Sequence, residues 1–245
     1  MSIKINYKSS SQVKNSSNLI LFSDENYNIS SLKKHFSGKE YSFIEDLLKT
    51  RDIKKKIQSF DINSKKKIIL VSVRKNLKSS EVENLGAKFY DQFKDSKQNE
   101  YNLNSDTASG HLKNIVGYFL HGLKLKSYSF EKYKTKKNIK KISINVIGKN
   151  IPNKLNQLKF KSIEEGTFYT RDLVSEPGNI LHPDEYAKRI LSLKKDGLKV
   201  NVYDDSKLKK LGMHALLGVG QGSIRGSYLV TMEWQGLKNN SKPLA

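Results

Sequence analysis

The chain has 245 residues, enough for one large domain or two small ones, and its formal net charge is +21. It contains no cysteine, which excludes disulfides, thiolate nucleophiles and cysteine-based zinc sites within these residues. No apolar run approaches the roughly 18 residues that span a bilayer, and residues 1–7 lack the apolar core of a signal peptide, so we expect a soluble, cytoplasmic protein with no membrane partner.

The first half of the chain contains several strand patterns. Strands are predicted at residues 3–7 and 18–22. Lys66–Val73 carries a continuous apolar, β-branched run, which is typical of a strand buried on both faces of a sheet. Between these strands, residues 23–65 are polar and rich in lysine. They predict at least one helix, near Ser42–Leu48, and otherwise irregular structure.

Two helices and another strand are predicted next. Ser80 and Glu83 have the spacing of a capping box, which indicates a helix start. The apolar residues that follow at helical spacing are Val82, Leu85, Phe89 and Phe93. An apolar stripe predicts a second helix from about Ser105 to Leu123, and residues 142–146 alternate as a strand does. This succession indicates a layered α/β domain that ends near residue 155, with residues 150–157 as a linker.

The segment Thr170–Pro183 predicts a stiff connection between two helices. Residues 162–165 have capping-box spacing and are interpreted as the start of the first helix. Pro177 cannot continue that helix, Gly178 tolerates a positive φ in the turn, and Pro183 suits the first position of the next helix. Such a joint is a plausible domain boundary. An ordinary helix–loop–helix within one domain is the alternative.

The residues after the joint predict the beginning of a second α/β unit. The expected order is a helix at 183–193, a strand at 198–203, a short helix capped by residues 204–206, a further turn at 213–217, a glycine loop at 218–223 and a strand at 228–234. Asp204 and Asp205 could form an acid–base pair, but we interpret them as helix caps. Residues 241–245 have the character of another strand start, so we expect this unit to be unfinished.

Neither the histidines nor the glycines form a recognised site motif. The five histidines are His35, His111, His121, His182 and His214, and none has a metal-binding spacing. His111 and His121, on one predicted helix, are interpreted as surface or packing residues. The glycines between Gly218 and Gly226 match neither the dinucleotide pattern nor the P-loop, so we interpret them as a loop with unusual backbone angles.

The positive charge offers a nucleic-acid hypothesis. Lysines and aromatic residues interleave in residues 127–137, as they do in single-strand binders. The alternative is a general bias towards lysine, because arginine, which suits bidentate phosphate or base contacts, is scarce. Binding predicts that Lys54–Lys56, Lys65–Lys67 and Lys132–Lys141 share one face.

Three segments resemble motifs of the leucyl aminopeptidase family, the two-metal cytosolic exopeptidases of peptidase family M17. Residues 122–137 are similar to G-x-x-L-x-x-Y-x-F-x-x-Y-K-x-K. Residues 171–183, R-D-L-V-S-E-P-G-N-I-L-H-P, are similar to R-D-L-x-N-E-P-x-N-x-L-T-P. Residues 211–223 are similar to L-G-M-x-x-L-L-x-V-G-x-G-S. Ser175, Gly178 and His182 depart from the second motif, and His182 is a poorer helix cap than threonine.

The resemblance implies an α/β fold in three parts. Residues 1–155 would form a macro-like N-terminal α/β domain, residues 156–176 a linker helix, and residues 177–245 the beginning of an incomplete α/β/α catalytic domain. It also implies assembly as a homohexamer. A macro-like domain that holds an ADP-ribose-type ligand is a further hypothesis, but residues 1–150 contain no convincing nucleotide-binding loop.

The resemblance implies a hydrolase, a metal-dependent protease that removes N-terminal amino acids, often leucine, from peptide substrates. Two divalent ions, manganese or zinc, would activate a water molecule in the full-length protein. The family's ligands and catalytic residues lie in V-G-K-G-x-x-F-D-x-G-G and N-T-D-A-E-G-R segments, which are not among these 245 residues. We therefore assign no catalytic, cofactor-binding or metal residue, and we expect this segment alone to bind no metal and to be inactive.

Overall fold

The computed structural model describes residues 3–8, 18–108, 112–136 and 141–236. The chain divides into two compact units, Met1–Arg171 and Asp172–Ala245. Each unit has its own sheet. Among the described residues, no helix is both long enough and apolar enough to cross a membrane.

The first unit contains a six-stranded sheet. Its strands are β1 (Ile3–Tyr7), β2 (Asn18–Ser23), β3 (Ile57–Asn63), β4 (Lys66–Ser72), β5 (Glu100–Asn104) and β6 (Ile142–Ile147). They lie in the order β1-β6-β5-β2-β4-β3, and every neighbouring pair is parallel except the antiparallel pair of β3 and β4. The predicted α/β fold class is confirmed.

Four helices accompany this sheet: α1 (Gly38–Thr50), α2 (Ser79–Phe93), α3 (Ile115–Lys126) and α4 (Lys154–Ser175). Residues of α2 and α3 pack with one face of the strands, and a residue of α1 packs with the other. The position of strand β4 explains the apolar run at its centre, residues 68–71. Ile69 and Val71 enter one core cluster while Ile68 and Leu70 enter the other, because successive side chains of a strand point to opposite faces.

Helices α2 and α3 approach each other through two glycines. A Cβ atom on Gly86 would lie 1.9 Å from the carbonyl oxygen of Phe119, and one on Gly122 would lie 1.9 Å from the carbonyl oxygen of Glu83. Both positions therefore require a residue without a side chain. Gly122 belongs to the first motif of the resemblance, and the helix contact gives it a structural role.

A ladder of amides crosses three strands on the sheet face opposite α2 and α3. The Asn6 side-chain amide donates to Asn145 Oδ1 at 3.1 Å, and the Asn145 amide donates to Asn102 Oδ1 at 3.1 Å. These three residues are in register across β1, β6 and β5. The hydrogen bonds satisfy polar groups that would otherwise be costly to bury.

Several predictions for the first unit were wrong in detail. Residues 57–63, expected to be irregular, form β3, because pairing with β4 supplies the backbone partners. Helix α2 begins at Ser79, and Glu81 accepts from the Lys78 backbone N–H, so the expected cap of Ser80 and Glu83 is not used. Helix α3 begins at Ile115 because Asn114, with φ of 64°, adopts a left-handed conformation that a right-handed helix cannot include.

The helix expected near residue 162 starts earlier. Helix α4 runs from Lys154 to Ser175, so residues 162–165 lie in its middle and do not cap it. The capping-box spacing gave a wrong helix start because serine and glutamate three residues apart also occur inside helices. The expected linker at 150–157 is correspondingly shorter.

The second unit contains a two-stranded sheet. Its elements are α5 (Pro183–Leu191), β7 (Lys199–Tyr203), α6 (Asp205–Lys210), α7 (His214–Gly220) and β8 (Leu229–Glu233), and β7 pairs antiparallel with β8. The predicted order of helices and strands is confirmed. Residues 241–245, predicted to start a strand, lie outside the described residues.

The predicted glycine loop was wrong in its geometry. Helix α7 continues through Gly218 to Gly220, and no glycine from Gly218 to Gly226 has a positive φ. Gly178 does not use the positive φ expected of it either. Among the described residues, the glycines with a positive φ are Gly148, Gly197 and Gly212. Helical φ and ψ are open to glycine, so a cluster of glycines does not by itself require a loop.

Candidate functional site

The joint between α4 and α5 is a hydrogen-bonded turn. The carbonyl of Pro177 accepts the backbone N–H groups of Ile180 and Leu181, both at 2.9 Å. Pro183 occupies the first turn of α5, as predicted. His182 is the N-cap residue. Its Nδ1 accepts the backbone N–H of Glu185 at 3.4 Å and also contacts the Asp184 carboxylate.

An ion-pair network ties the joint to α5. Arg189 donates from Nη1 to Glu176 Oε1 and from Nε to Glu185 Oε1, each at 2.9 Å. The hydrogen bonds to Glu185 and Glu176 raise the pKa of Arg189 above its usual range. The hydrogen bond from Arg189 lowers the pKa of Glu185 in turn. The Glu176 side chain is buried. Its ion pair with Arg189 holds the joint against helix α5.

Asp204 and Asp205 of the second unit accept hydrogen bonds from backbone N–H groups. Asp204 caps α6 by accepting the backbone N–H of Lys207 at 3.0 Å, as predicted. Asp205 accepts the backbone N–H of Ser227 at 3.0 Å. Hydrogen bonds to Lys207 and Ser206 lower the pKa of Asp204, which keeps it an acceptor. This arrangement supports the interpretation of Asp204 as a cap, whereas Asp205 is not a cap and instead holds the backbone at Ser227.

The first two motifs meet in the first unit. The Arg171 guanidinium donates to the carbonyl of Leu125 at 2.6 Å and lies over the ring of Tyr128. The Tyr128 ring in turn packs 5.5 Å from that of Phe168, centroid to centroid. Residues that carry the resemblance therefore have packing roles where helix α4 meets the end of α3. Lys137, at the end of the first motif, lies outside the described residues.

The sequence prediction missed a buried cluster of ionisable side chains. Glu164 of α4 is 4% exposed and accepts from Lys124 Nζ at 2.8 Å, while its other oxygen is 3.0 Å from His121 Nδ1. Burial, with a smaller contribution from the Glu164 charge, raises the pKa of the Tyr7 hydroxyl to about 12. The interpretation of His121 as a packing residue is supported. His111 lies outside the described residues.

The described residues do not fit a metal centre. Nowhere among them do three or more histidine, aspartate or glutamate side chains gather as a metal ion requires.

The lysines singled out for nucleic acid are partly engaged with carboxylates. Lys66 pairs with Glu40 at 2.7 Å, and Lys67 pairs with Asp61 at 3.1 Å. Lys134 pairs with Glu131 at 3.1 Å. Residues 137–140 of the third cluster lie outside the described residues. A shared binding face remains a prediction.

Comparison with known structures first gives the class of the fold. The tomato leucine aminopeptidase mutant K354E aligns with a TM-score of 0.70 and 18% identity, over 94% of this chain and 50% of that one. The cytosol aminopeptidase from Coxiella burnetii aligns with a TM-score of 0.67 and 16% identity, over 95% and 47%. The chain therefore has the α/β fold seen in these structures.

The sequence comparisons show which family part of the chain is similar to. Residues 168–245 match the model for the catalytic domain of the cytosol aminopeptidase family. A probable cytosol aminopeptidase of Brucella anthropi is 44% identical over 133 residues, 51% of this chain and 26% of that protein. One from Phytoplasma mali is 45% identical over 135 residues, 52% and 27%. The chain thus spans about a quarter of the length of these relatives. The resemblance to the leucyl aminopeptidase family is confirmed.

Proposed function

We propose that this chain is part of a metal-dependent aminopeptidase that removes N-terminal amino acids, often leucine, from peptides. The match of residues 168–245 to the family's catalytic domain carries the proposal. The identity of more than 40% to proteins named probable cytosol aminopeptidase supports it. The same names support a cytoplasmic location.

The proposed cofactors are two divalent metal ions, manganese or zinc, held elsewhere in the full-length protein. A solved structure similar in fold, the bottromycin maturation enzyme BotP, is in complex with manganese. Such ions would polarise the scissile carbonyl of the peptide and activate a water molecule. Because the described residues include no metal-ligand cluster, we propose that the 245-residue chain alone binds no metal and hydrolyses no peptide.

The proposed role of the described residues is architectural. Residues 1–155 would be the macro-like domain, residues 156–176 the linker helix and residues 177–245 the beginning of the catalytic domain. The network of Glu176, Glu185 and Arg189 would hold the start of that domain in place. A homohexamer is proposed from the family resemblance. No observation favours nucleic-acid binding as the main function.

Leucine anilide hydrolysis tests the proposal. The reading frame beyond Ala245 is first sequenced, and the 245-residue chain and any longer product are purified and assayed with manganese, with zinc and with a chelator. We expect activity that depends on metal from the longer product and none from the short chain. A longer product that binds metal but cleaves no aminoacyl substrate would contradict the proposed reaction. Hydrolysis by the short chain, persisting after repurification, would contradict its inactivity.

A further inference from the structure

Helix α4 buries a single residue, and that residue is charged. Of the residues from Lys154 to Ser175, all of which are described, only Glu164 is buried. Phe160 and Phe168 lie four residues before and after it, so the three side chains share one face of the helix. The centre of a helix face that packs against another element is ordinarily apolar. A residue that departs from such a local rule is a candidate for a functional role.

The two phenylalanines on this face pack against aromatic rings of α3 and of the segment after it. The Phe160 ring lies 5.3 Å from the Tyr118 ring and 5.2 Å from the His121 ring, centroid to centroid. Phe168 packs with Tyr128 in the same way. Both phenylalanines remain partly exposed, so apolar burial along this helix is incomplete. The attachment of α4 therefore depends on the charged contact that lies between the two rings.

Apolar side chains also lie on the outer side of α4. Leu155 is 75% exposed and Leu158 is 60% exposed. Leu155 and Glu164 are about two and a half turns apart, which places them on opposite sides of the helix. Apolar character alone therefore does not specify which side of α4 meets α3. A buried charge does specify it, because only one arrangement of the helix gives that charge a partner.

Glu164 finds its partners on one face of α3. His121 and Lys124 are three residues apart and therefore neighbours on the helix surface. Lys124 Nζ lies 2.8 Å from one carboxylate oxygen, and His121 Nδ1 lies 3.0 Å from the other. The Glu164 charge also acts on Tyr7 of β1, where it adds to the effect of burial in raising the pKa of the hydroxyl. Removing one partner of a buried ion pair is costly, because the other charge is left uncompensated.

We propose that Glu164 is a charge-dependent clasp: helix α4 stays docked on α3 while the carboxylate is ionised, and it detaches when the carboxylate is protonated. Protonation keeps the shape of the side chain but removes its attraction to Lys124. The groups that act on the carboxylate are His121 and Lys124 of α3 and Tyr7 of β1. Residues 168–175 of α4 belong to the match with the catalytic domain, so the clasp acts on the helix that leads into that domain.

Hydrogen exchange of the 245-residue chain tests the proposal, with protection expressed relative to an unfolded chain at the same pH. A detached helix is marginal in water, so protection in α4 should fall at least about tenfold between about pH 7 and about pH 4, where carboxyl groups titrate. Strands β2 and β4 should keep their protection. Glu164→Gln should show the low value at pH 7 and no further loss. The matched control is Glu165→Gln, which changes the neighbouring exposed carboxylate and should behave as the parent does.

The outcomes against the proposal are distinct. Full protection of α4 in the parent at pH 4, or in Glu164→Gln at pH 7, would overturn it. So would an equal loss in β2 and β4, which would mean that the whole unit unfolds. A loss with pH that persists in Glu164→Gln would assign the effect to His121 instead. If circular dichroism shows that Glu164→Gln does not fold, Lys124→Met decides, because it leaves the carboxylate uncompensated and unchanged protection of α4 at pH 7 would overturn the proposal.

Discussion

The two units differ in how their sheets are covered. In the first unit, apolar clusters lie on both faces of the six-stranded sheet, and side chains such as Phe89, Phe119 and Leu103 are completely enclosed. The described residues of the second unit bury four apolar side chains, which are Ala187, Ile190, Val200 and Leu208.

Large apolar side chains of the second unit face solvent instead. Val219 is 90% exposed and Ile224 is fully exposed. A two-stranded sheet is marginally stable by itself. The second unit therefore forms regular secondary structure around a small core, and residues 177–245 alone should be poorly stable.

The largest expected effect distinguishes the two units directly. Phe89→Ala removes a ring that contacts Phe93, Tyr101 and Phe119 and leaves a cavity in the enclosed core. It should lower the free energy of unfolding of the first unit by about 3–5 kcal/mol. Urea unfolding followed by circular dichroism measures this loss. Ile224→Ala, in the second unit, should change stability by no more than about 0.5 kcal/mol. Equal losses would contradict the comparison.

The next effect concerns the contact of α2 with α3. Gly86→Ala places a methyl group against the backbone of Phe119, so the helices must move apart at a cost of about 3 kcal/mol. The matched control is Gly166→Ala in α4, where no atom lies within 4 Å of the added Cβ. That change should stabilise by about 0.5–1 kcal/mol, because alanine favours the helix. The two variants should therefore shift the urea midpoint in opposite directions, and a shift in the same direction would show that the close approach does not govern the contact.

A smaller and more local effect is expected in the second unit. Arg189→Gln removes the ion pairs that link α5 to Glu176 and Glu185. Amide exchange in residues 183–191 should become about tenfold faster, which corresponds to the loss of one hydrogen bond to a charged group. Exchange in β2 and β4 should not change. Equal acceleration in those strands would mean that the two units unfold together.

The smallest effect is a dependence on pH in the first unit. Burial lowers the pKa of His35, the Lys34 charge lowers it further, and Asp106 acts in the opposite direction. The folded chain therefore binds this proton less readily than the unfolded chain, so stability should fall as the pH decreases from 7.5 to 5.5. His35→Gln should reduce that slope in urea unfolding, and Lys34→Gln should reduce it by less. An unchanged slope in His35→Gln would exclude His35 as its source.

Local sequence patterns were sufficient for most elements. Continuous or alternating apolar residues identified β1, β2, β4 and β6, and Pro183 marked the start of α5. These signals depend on residues that are close in sequence, where side-chain alternation and proline geometry act. The leucyl aminopeptidase resemblance also lay in the sequence alone, in residues 122–137, 171–183 and 211–223.

The tertiary structure decided what depends on residues far apart in the chain. Strand β3 exists because β4 offers it a partner, and Gly86 is constrained by a helix more than thirty residues away. Glu164 carried no predicted role inside the expected capping box of residues 162–165, yet it is buried against His121 and Lys124. Nothing in the sequence distinguishes Ser23 from the other serines, but the fold encloses its hydroxyl without a hydrogen-bond partner among the described residues. Burial and hydrogen-bond satisfaction are properties of the packed chain, so local sequence patterns cannot specify them.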